Sequence, residues 1–477
     1  MNTSHLDRSS ALTPTRRQLL LGAGVAAAAA AGSRWLVPEV QAMPHRQLVS
    51  EFRRSLSRDQ IEAIFLPFDH PSRQIVNTIA IRKSPHIGTL LNAEQIPYAW
   101  RLWSTMQSEA GKPRFIEPLK AEAGGLDGCV LSIYGDPDDG PCQSVISGGH
   151  LDLRAGDQLH GGFGDGVAWG HQIGNHQLRV PGNVWAHHSD ALNRLVALLE
   201  PEQLSRAICG NPPNELLLQV QSAGGQFEGL AVRAMSEAQQ TVFCELITTV
   251  IASFTPEHAK TAMDDITANG SFEDLHVALY RDFGFYGDGL KFSDQPERDG
   301  QLPYFQVWRI EGPGMILHFQ GWPHVHAYLR LSREPRRQHV GEALGEVTAL
   351  VEGERVRTFM ETAMQQPFAA EGGFMPGLLP ARFVPGPVTT GTLYSFDPFA
   401  NQVVIAHVRG DQLRGTLQER FGGTDPSGTY RLATIDYALE EYADEFGTIE
   451  RVENTGMLLR DVLIDHARSG ALRQLSA

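Results

Sequence analysis

The sequence predicts an α+β fold: helical segments packed on a mixed or antiparallel sheet, followed by a smaller α/β module. Three observations carry this. Helix-start signals recur ahead of apolar residues at helical spacing. Runs rich in β-branched and aromatic residues are broken at glycine and proline. Residues 361–477 alternate strand-like and helix-like segments between tight Gly/Pro turns.

The helix starts share one pattern. "SRDQ" (57–60), "NAEQ" (92–95) and "SEAQ" (236–239) place Ser or Asn three residues before Gln. That is a capping box or its Asn variant, in which the first side chain caps a free backbone N–H and Gln reaches back. "EPEQ" (200–203) and "TPEH" (255–258) put proline at the first helical position instead. Apolar positions then follow at helical spacing, as in "ALNRLVALLEPEQLSRAI" and "QTVFCELITTVIASF". These glutamines are expected to be caps rather than catalysts.

The first 42 residues read as an export signal. A polar segment carries the twin arginines Arg16 and Arg17, an apolar run extends from Leu19 to Gly32, and Val40-Gln41-Ala42 is a small-residue cleavage site. The run is too short to cross a bilayer, so the pattern is that of a twin-arginine signal peptide rather than a membrane span. The expected mature chain begins at Met43 and lies in the periplasm or outside the cell, after the twin-arginine export machinery has moved it folded. It is expected to be free of the membrane once the signal is cleaved. Formal net charge is −15, and loss of four arginines with two acids in the signal makes the mature chain more acidic still. Such a surface argues against non-specific binding to nucleic acid or anionic lipid. The expected partner is a small-molecule ligand or substrate. The four cysteines are Cys129, Cys142, Cys209 and Cys244. In an oxidising compartment a Cys129–Cys142 bridge across "VLSIYGDPDDGP" is an option, with free buried thiols as the other.

Residues 43–345 form the first domain. Within it, "YFQVWRIEGPGMILHF" reads as two strands broken at Gly312-Pro313-Gly314, and "QGWPHVHAYLR" follows. His324 and His326 stand two apart, so on a strand their imidazoles share a face. Converging nitrogens suit a metal ion. "SGGHLDL" is a second alternating run, with His150 and Asp152 expected on one face. His150, His324 and His326 are the candidate ligands, and Asp152 is the candidate catalytic base. Trp322-Pro323 is expected to fix the approach to the pair. His160, His171 and His176 are read as loop histidines. "GNH" (174–176) and "DLH" (274–276) stand in the wrong order for a metallophosphoesterase, and Gln177 replaces the acid that signature needs.

The stretches "RRSLSRDQIEAIFLPFDHPSR", "SIYGDP", "GGHLDLRAG", "VWRIEGPGMILHF" and "PHVHAYLR" together resemble the domain-of-unknown-function family 3500 over residues 45–345. That family reads G-H-H-L-S-L-N where this chain has Gly148-Gly149-His150-Leu151-Asp152-Leu153-Arg154. His150 matches the second histidine, and the H-x-H of His324 and His326 is retained. The resemblance therefore carries a ligand role to these three residues alone.

Residues 346–360, "EVTALVEGERVRTFM", are expected to be a charged connector. Beyond them, "VTTGTLYSFDPFANQVV" and the strand "YRLAT" ahead of an aromatic resemble the C-terminal domain of the 5'-nucleotidase family. The resemblance implies that Phe399 and Tyr437 clamp a nucleobase between two rings, with Asn401 as polar neighbour. It also shows departures. "EEYADEFG" replaces the family's Gly-Gly-Asp-Gly, leaving Asp444 to match. "EGGFMPGLLPARF" shortens its glycine-rich segment, with Arg382 as the matching arginine. The family's two-metal catalytic domain is missing.

The functional expectation is an exported metal-dependent hydrolase. A divalent ion is implied, zinc first, with copper or iron as alternatives. The rival is a non-catalytic exported metal- or ligand-binding protein.

Overall fold

The computed structural model describes residues 44–76, 85–157, 166–172, 183–210, 212, 220–221, 223–280, 305–321, 324–333, 341–376, 381–383, 385–421 and 425–475. The export signal, Trp322, Pro323, His160 and His176 lie outside these residues. No described helix is long and apolar enough to cross a membrane.

The capping boxes form as their sequences require. Ser57 accepts from the Gln60 backbone and Gln60 reaches back, opening a helix at Arg58–Ile64. Ser236 and Gln239 do the same for Glu237–Ile251. Glu200 and Gln203 close a box of their own before Pro201–Ala207. Asn92 and Gln95 exchange the same two bonds at 3.1 and 3.0 Å.

In chain order the first domain runs α1 (His45–Ser55), α2 (Arg58–Ile64), β1 (Phe65–Leu66), α3 (Ile96–Ser104), α4 (Lys112–Ala123), β2 (Val130–Gly135), β3 (Cys142–Ser147), β4 (Leu151–Gly156) and β5 (Val167–His171). It continues with α5 (Ala186–Val196), α6 (Pro201–Ala207), β6 (Ile208–Cys209), β7 (Leu230–Ala231), α7 (Glu237–Ile251) and α8 (Pro256–Ala268). The last strands are β8 (His276–Tyr280), β9 (Val307–Gly312), β10 (Met315–Gln320) and β11 (Val325–Leu331). All the strands join one mixed, eleven-stranded sheet in the order β1-β2-β3-β4-β5-β11-β10-β9-β8-β6, with β7 also on β8.

That order is a palindrome. In each half, a short helix leads to a short strand lying parallel beside the first strand of a four-stranded meander: β1 on β2, and β6 on β8. The halves meet where β5 and β11 pair antiparallel, with Val167 opposite Leu329. A glutamine pair recurs in the same place in both. Gln60 and Gln95 exchange side-chain bonds at 2.9 and 3.0 Å, and Gln203 and Gln239 at 3.1 and 2.7 Å. The first domain is thus a doubled unit with approximate two-fold symmetry about the β5–β11 ladder.

One face of the sheet supplies the main core. Leu151, Leu153, Trp169, Ala327, Leu329, Leu317, Phe319, Trp308 and Ile310 alternate along their strands and pack with residues of α1, α3, α4, α5 and α7. The other face is buried but more polar: Asp152, Arg154, His318, Gln320 and His326 lie there beside Ile316 and Tyr328.

The second module holds β12 (Ala343–Val347), α9 (Glu354–Gln365), β13 (Gly372–Gly373), β14 (Gly386–Thr389), α10 (Thr390–Phe396), β15 (Gln402–Arg409), β16 (Thr429–Ile435), α11 (Asp436–Glu441), β17 (Ile449–Leu458) and α12 (Leu459–His466). Its sheet runs β13-β16-β15-β17, and β12 pairs with β14 separately. Residues 346–360 differ from the expected connector: Val347, Val351, Val356, Phe359 and Met360 belong to this module's core. The segment is amphipathic, and most of its charges lie on the outer side. Between the two domains, the Tyr394 ring meets His70 edge-on at 5.9 Å while the Arg460 guanidinium lies 4.5 Å from its centroid.

The Cys129–Cys142 bridge does not form, and none of the four cysteines is in a disulfide. The ladder explains it. Val130 pairs with Ser147 and Gly135 with Cys142, so the two thiols stand at opposite ends of the β2–β3 hairpin.

Candidate metal centre

His150 is not on a strand. It is the second of the two central residues of the turn between β3 and β4. Gly148 and Leu151 exchange backbone bonds at 2.8 and 3.2 Å, and Gly149 and His150 both have φ of +58°. Positive φ at both central residues marks a type I′ hairpin turn. Glycine adopts this without cost, whereas a histidine there is strained by its Cβ. The alternation expected of "GGHLDL" therefore starts only at Leu151. The ring of His150 instead lies over Gly170 of β5, where an added Cβ would stand 3.3 Å from His150 Cδ2.

Gly170 pairs with His326 of β11. His324 immediately precedes that strand, and its ring lies 4.4 Å from that of His326, with the two Nε2 atoms 2.9 Å apart. The His150 ring centroid is 5.3 Å from His324 and 5.0 Å from His326. One donor atom from each of the three lies within 4.8 Å of the others. In a tetrahedral site with Zn–N of 2.0–2.1 Å, the nitrogens stand about 3.3 Å apart. The observed separations bracket that spacing, so the donor set fits a divalent ion.

A residue not singled out in the sequence completes the arrangement. Glu122, in the last turn of α4, takes Nδ1 of His150 with Oε2. Its Oε1 accepts the Gln172 backbone N–H at 2.7 Å and lies 4.0 Å from His171 Nε2. Burial alone would raise this carboxyl; the His150 hydrogen bond and charge, the Gln172 N–H and the His171 charge together hold it below the usual range. The carboxylate leaves Nε2 of His150 as the nitrogen that faces the cluster, an orientation common in histidine-ligated metal sites. One local signal was available: an acid in the last turn opposes the helix dipole, so it needs a partner from elsewhere.

Asp152 is not where the sequence suggested. Arg154 Nε lies 3.2 Å from its Oδ1, and Ser147 Oγ lies 3.4 Å from its Oδ2. Its register runs through Ala168 to Tyr328, two strands and two residues away from His326. From strand spacings that is about 12 Å between Cα atoms. Asp152 is instead paired with Arg154 on the polar face of the sheet.

The symmetry of the fold is broken at this point. The turn related to Gly149-His150 is Pro313-Gly314, and Asn269 Nδ2 occupies the space a side chain on Gly314 would need, at 2.4 Å from its ideal Cβ. Among the described residues, the other half has no such donor cluster.

In the second module, antiparallel pairing of Val403 with Ile435 brings the segments carrying Asn401 and Tyr437 to the same end of β15 and β16. Asp436 Oδ1 ties them by accepting from the Gln402 backbone at 3.0 Å. Phe399 is half-buried, and Tyr437 is 43% exposed. Asn401 donates its side-chain amide to Asp397 at 2.7 Å. The glycines of "EGGF" serve packing: a Cβ on Gly373 would stand 2.6 Å from the Glu361 carbonyl oxygen, and Glu361 is held by both Arg420 nitrogens at 2.8 and 2.6 Å.

Fold and cluster together define an α+β protein with three converging imidazole donors. Within its second module, residues 351–461 match the 5'-nucleotidase, C-terminal domain. No curated protein matches the chain. Two solved structures are similar to part of it. One is a 5'-nucleotidase precursor from Thermus thermophilus, at 13% identity and TM-score 0.25, covering 35% of this chain and 47% of that one. The other is a putative 5'-nucleotidase from Staphylococcus aureus in complex with alpha-ketoglutarate, at 11% identity and TM-score 0.20, covering 35% and 50%. The chain spans about half the length of each.

Proposed function

We propose that the chain is an exported metal-dependent hydrolase whose ion is held by His150, His324 and His326. The observation that supports this reading is the convergence of three imidazoles, one of them backed by Glu122. A divalent ion supplies a Lewis acid there and makes water nucleophilic near neutral pH. Zinc suits three nitrogen donors best, with copper or iron as the alternatives. Three protein donors among the described residues leave a coordination position open, as catalytic sites do and closed structural sites do not.

The chain's own residues have separable tasks. The I′ turn sets the height of His150 over Gly170. Glu122 fixes its tautomer. His324, just before β11, and His326, on it, bring their rings together. The substrate is a small molecule with a carbonyl or phosphoryl oxygen. A phosphate ester or nucleotide-like compound is the preferred class, supported by the match of residues 351–461 and by Phe399, Asn401 and Tyr437 lying on joined segments. The N-terminal resemblance to domain-of-unknown-function family 3500 belongs to this reading, as do export through the twin-arginine machinery and a periplasmic or secreted location.

A second reading, a non-catalytic metal- or ligand-binding protein, draws on one observation. The carboxylate that touches the cluster is committed to His150 and Gln172. Metal analysis of the purified mature protein, followed by a screen of phosphate and carboxylate esters with that metal, separates the two. Turnover that vanishes on chelation and returns with metal supports the hydrolase. Tight metal binding with no turnover across the screen supports the second reading.

A further inference from the structure

The sheet face beside the three histidines carries a buried amide that the metal reading does not use. Gln320, the last residue of β10, is directly opposite His326 in the antiparallel ladder. Paired residues project to the same face, with Cβ atoms about 4.5–5.5 Å apart. Gln320 is 4% exposed, and its Nε2 is enclosed without a hydrogen-bond partner among the described residues. A buried amide donor left unpaired is costly, and native proteins retain such groups where a ligand or water completes them. On its other side Gln320 faces Val307, which offers no side-chain polar atom.

We propose that Gln320 is a positioning residue for the ligand at this centre: its carboxamide N–H donates to an oxygen of the group that docks beside His326. The chemistry recognised is a small oxyanion, phosphoryl or carboxylate, with one oxygen toward the three histidines and another toward Gln320. The strand pairing makes the spacing suitable, because the two side chains stand one strand apart on one face. The proposal rests on the metal reading above and adds to it the group that selects what binds.

The test uses mature protein loaded with cobalt(II), whose visible spectrum responds to changes in its ligands. Wild type, Gln320→Met and Gln320→Glu are titrated with inorganic phosphate and, separately, with acetate. Cobalt affinity is measured by calorimetry on each metal-free protein. The expected result is a saturable spectral change in wild type, anion affinity about tenfold or more weaker in Gln320→Met, and no response in Gln320→Glu, with cobalt affinity within twofold between wild type and Gln320→Met. A response to phosphate alone assigns the phosphoryl class, and a response to acetate alone assigns the carboxylate class. Equal anion affinity in wild type and Gln320→Met overturns the proposal. So does a loaded wild type that responds to neither anion, or a parallel fall in cobalt affinity in Gln320→Met. Failure of wild type to bind cobalt is a different result: it overturns the metal reading, and the role of Gln320 falls with it.

Discussion

Glu122, near the end of α4, engages Nδ1 of His150 from the helical side of the sheet, so a helix end and a hairpin turn together orient one imidazole. Removing that carboxylate frees the ring to rotate. Glu122→Ala is expected to weaken metal binding about 10–100-fold, the range typical of such partners. Glu122→Gln, which keeps an acceptor oxygen, is expected to lose less. Calorimetric titration with zinc checks the order, and equal affinity in all three proteins contradicts it.

Gly170 makes room for the cluster. A methyl there would stand 2.1 Å from the Val325 carbonyl oxygen and 3.3 Å from His150 Cδ2. Backbone cannot yield as a side-chain tip can. Gly170→Ala is expected to destabilise the fold by roughly 1–3 kcal/mol and to displace His150 from its partners. Urea denaturation reads the first effect, and metal titration of the folded variant reads the second.

Acid should destabilise the first domain through histidines remote from the cluster. Burial holds His45 down to about 4, against the opposing charge of Asp157. Burial also lowers His187 to about 4 and His188 well below the ordinary value of 6.5. These imidazoles are neutral in the folded protein while the unfolded chain protonates them. Their contribution is therefore complete above pH 6.5 and is lost as pH falls toward 4. Each contributes a slope of up to about 1.4 kcal/mol per pH unit in that window. Denaturation midpoints measured between pH 7 and 4 should fall, and the fall should flatten in His188→Phe. A flat wild-type profile contradicts this.

Nucleoside binding by the second module is a separate expectation. If Phe399 and Tyr437 hold a base, Phe399→Ala should weaken adenosine binding by about 1–3 kcal/mol. Calorimetry with wild type at millimolar adenosine decides whether there is binding to lose. No heat of binding reduces the module to a scaffold.

Export has a direct readout. Cleavage after Ala42 leaves Met43 as the first residue, and mass spectrometry of the secreted protein should find that mass. A chain that retains Leu19 to Gly32 contradicts the signal reading.

Much of the first domain was legible because local chemistry decided it. The reciprocal bonds of Ser57 with Gln60 and Ser236 with Gln239 are written in four-residue stretches. The break at Pro313-Gly314 is a turn those residues favour. His324 and His326 come together as their two-residue spacing suggests, although His324 stands just before β11 rather than on it. What was not legible depended on contacts far along the chain. Glu122 meets His150 only because α4 packs beside the β3–β4 turn. Asp152 was misread because alternation was counted through His150, whose positive φ resets the count. The doubling of the domain was hidden too. Its halves share pairing geometry and a glutamine exchange rather than a repeated string of residues. The connector was misread from its charges, while Val356, Phe359 and Met360 on the other side of α9 carried the packing.

The central claim is that His150, His324 and His326 hold one divalent ion. Metal content of the purified mature protein, measured beside the His324→Ala/His326→Ala double variant, tests it most directly. The account predicts close to one equivalent in wild type and loss of that metal in a variant that still folds. A wild type without metal after reconstitution with zinc, copper and iron, or a double variant that retains its metal, contradicts it.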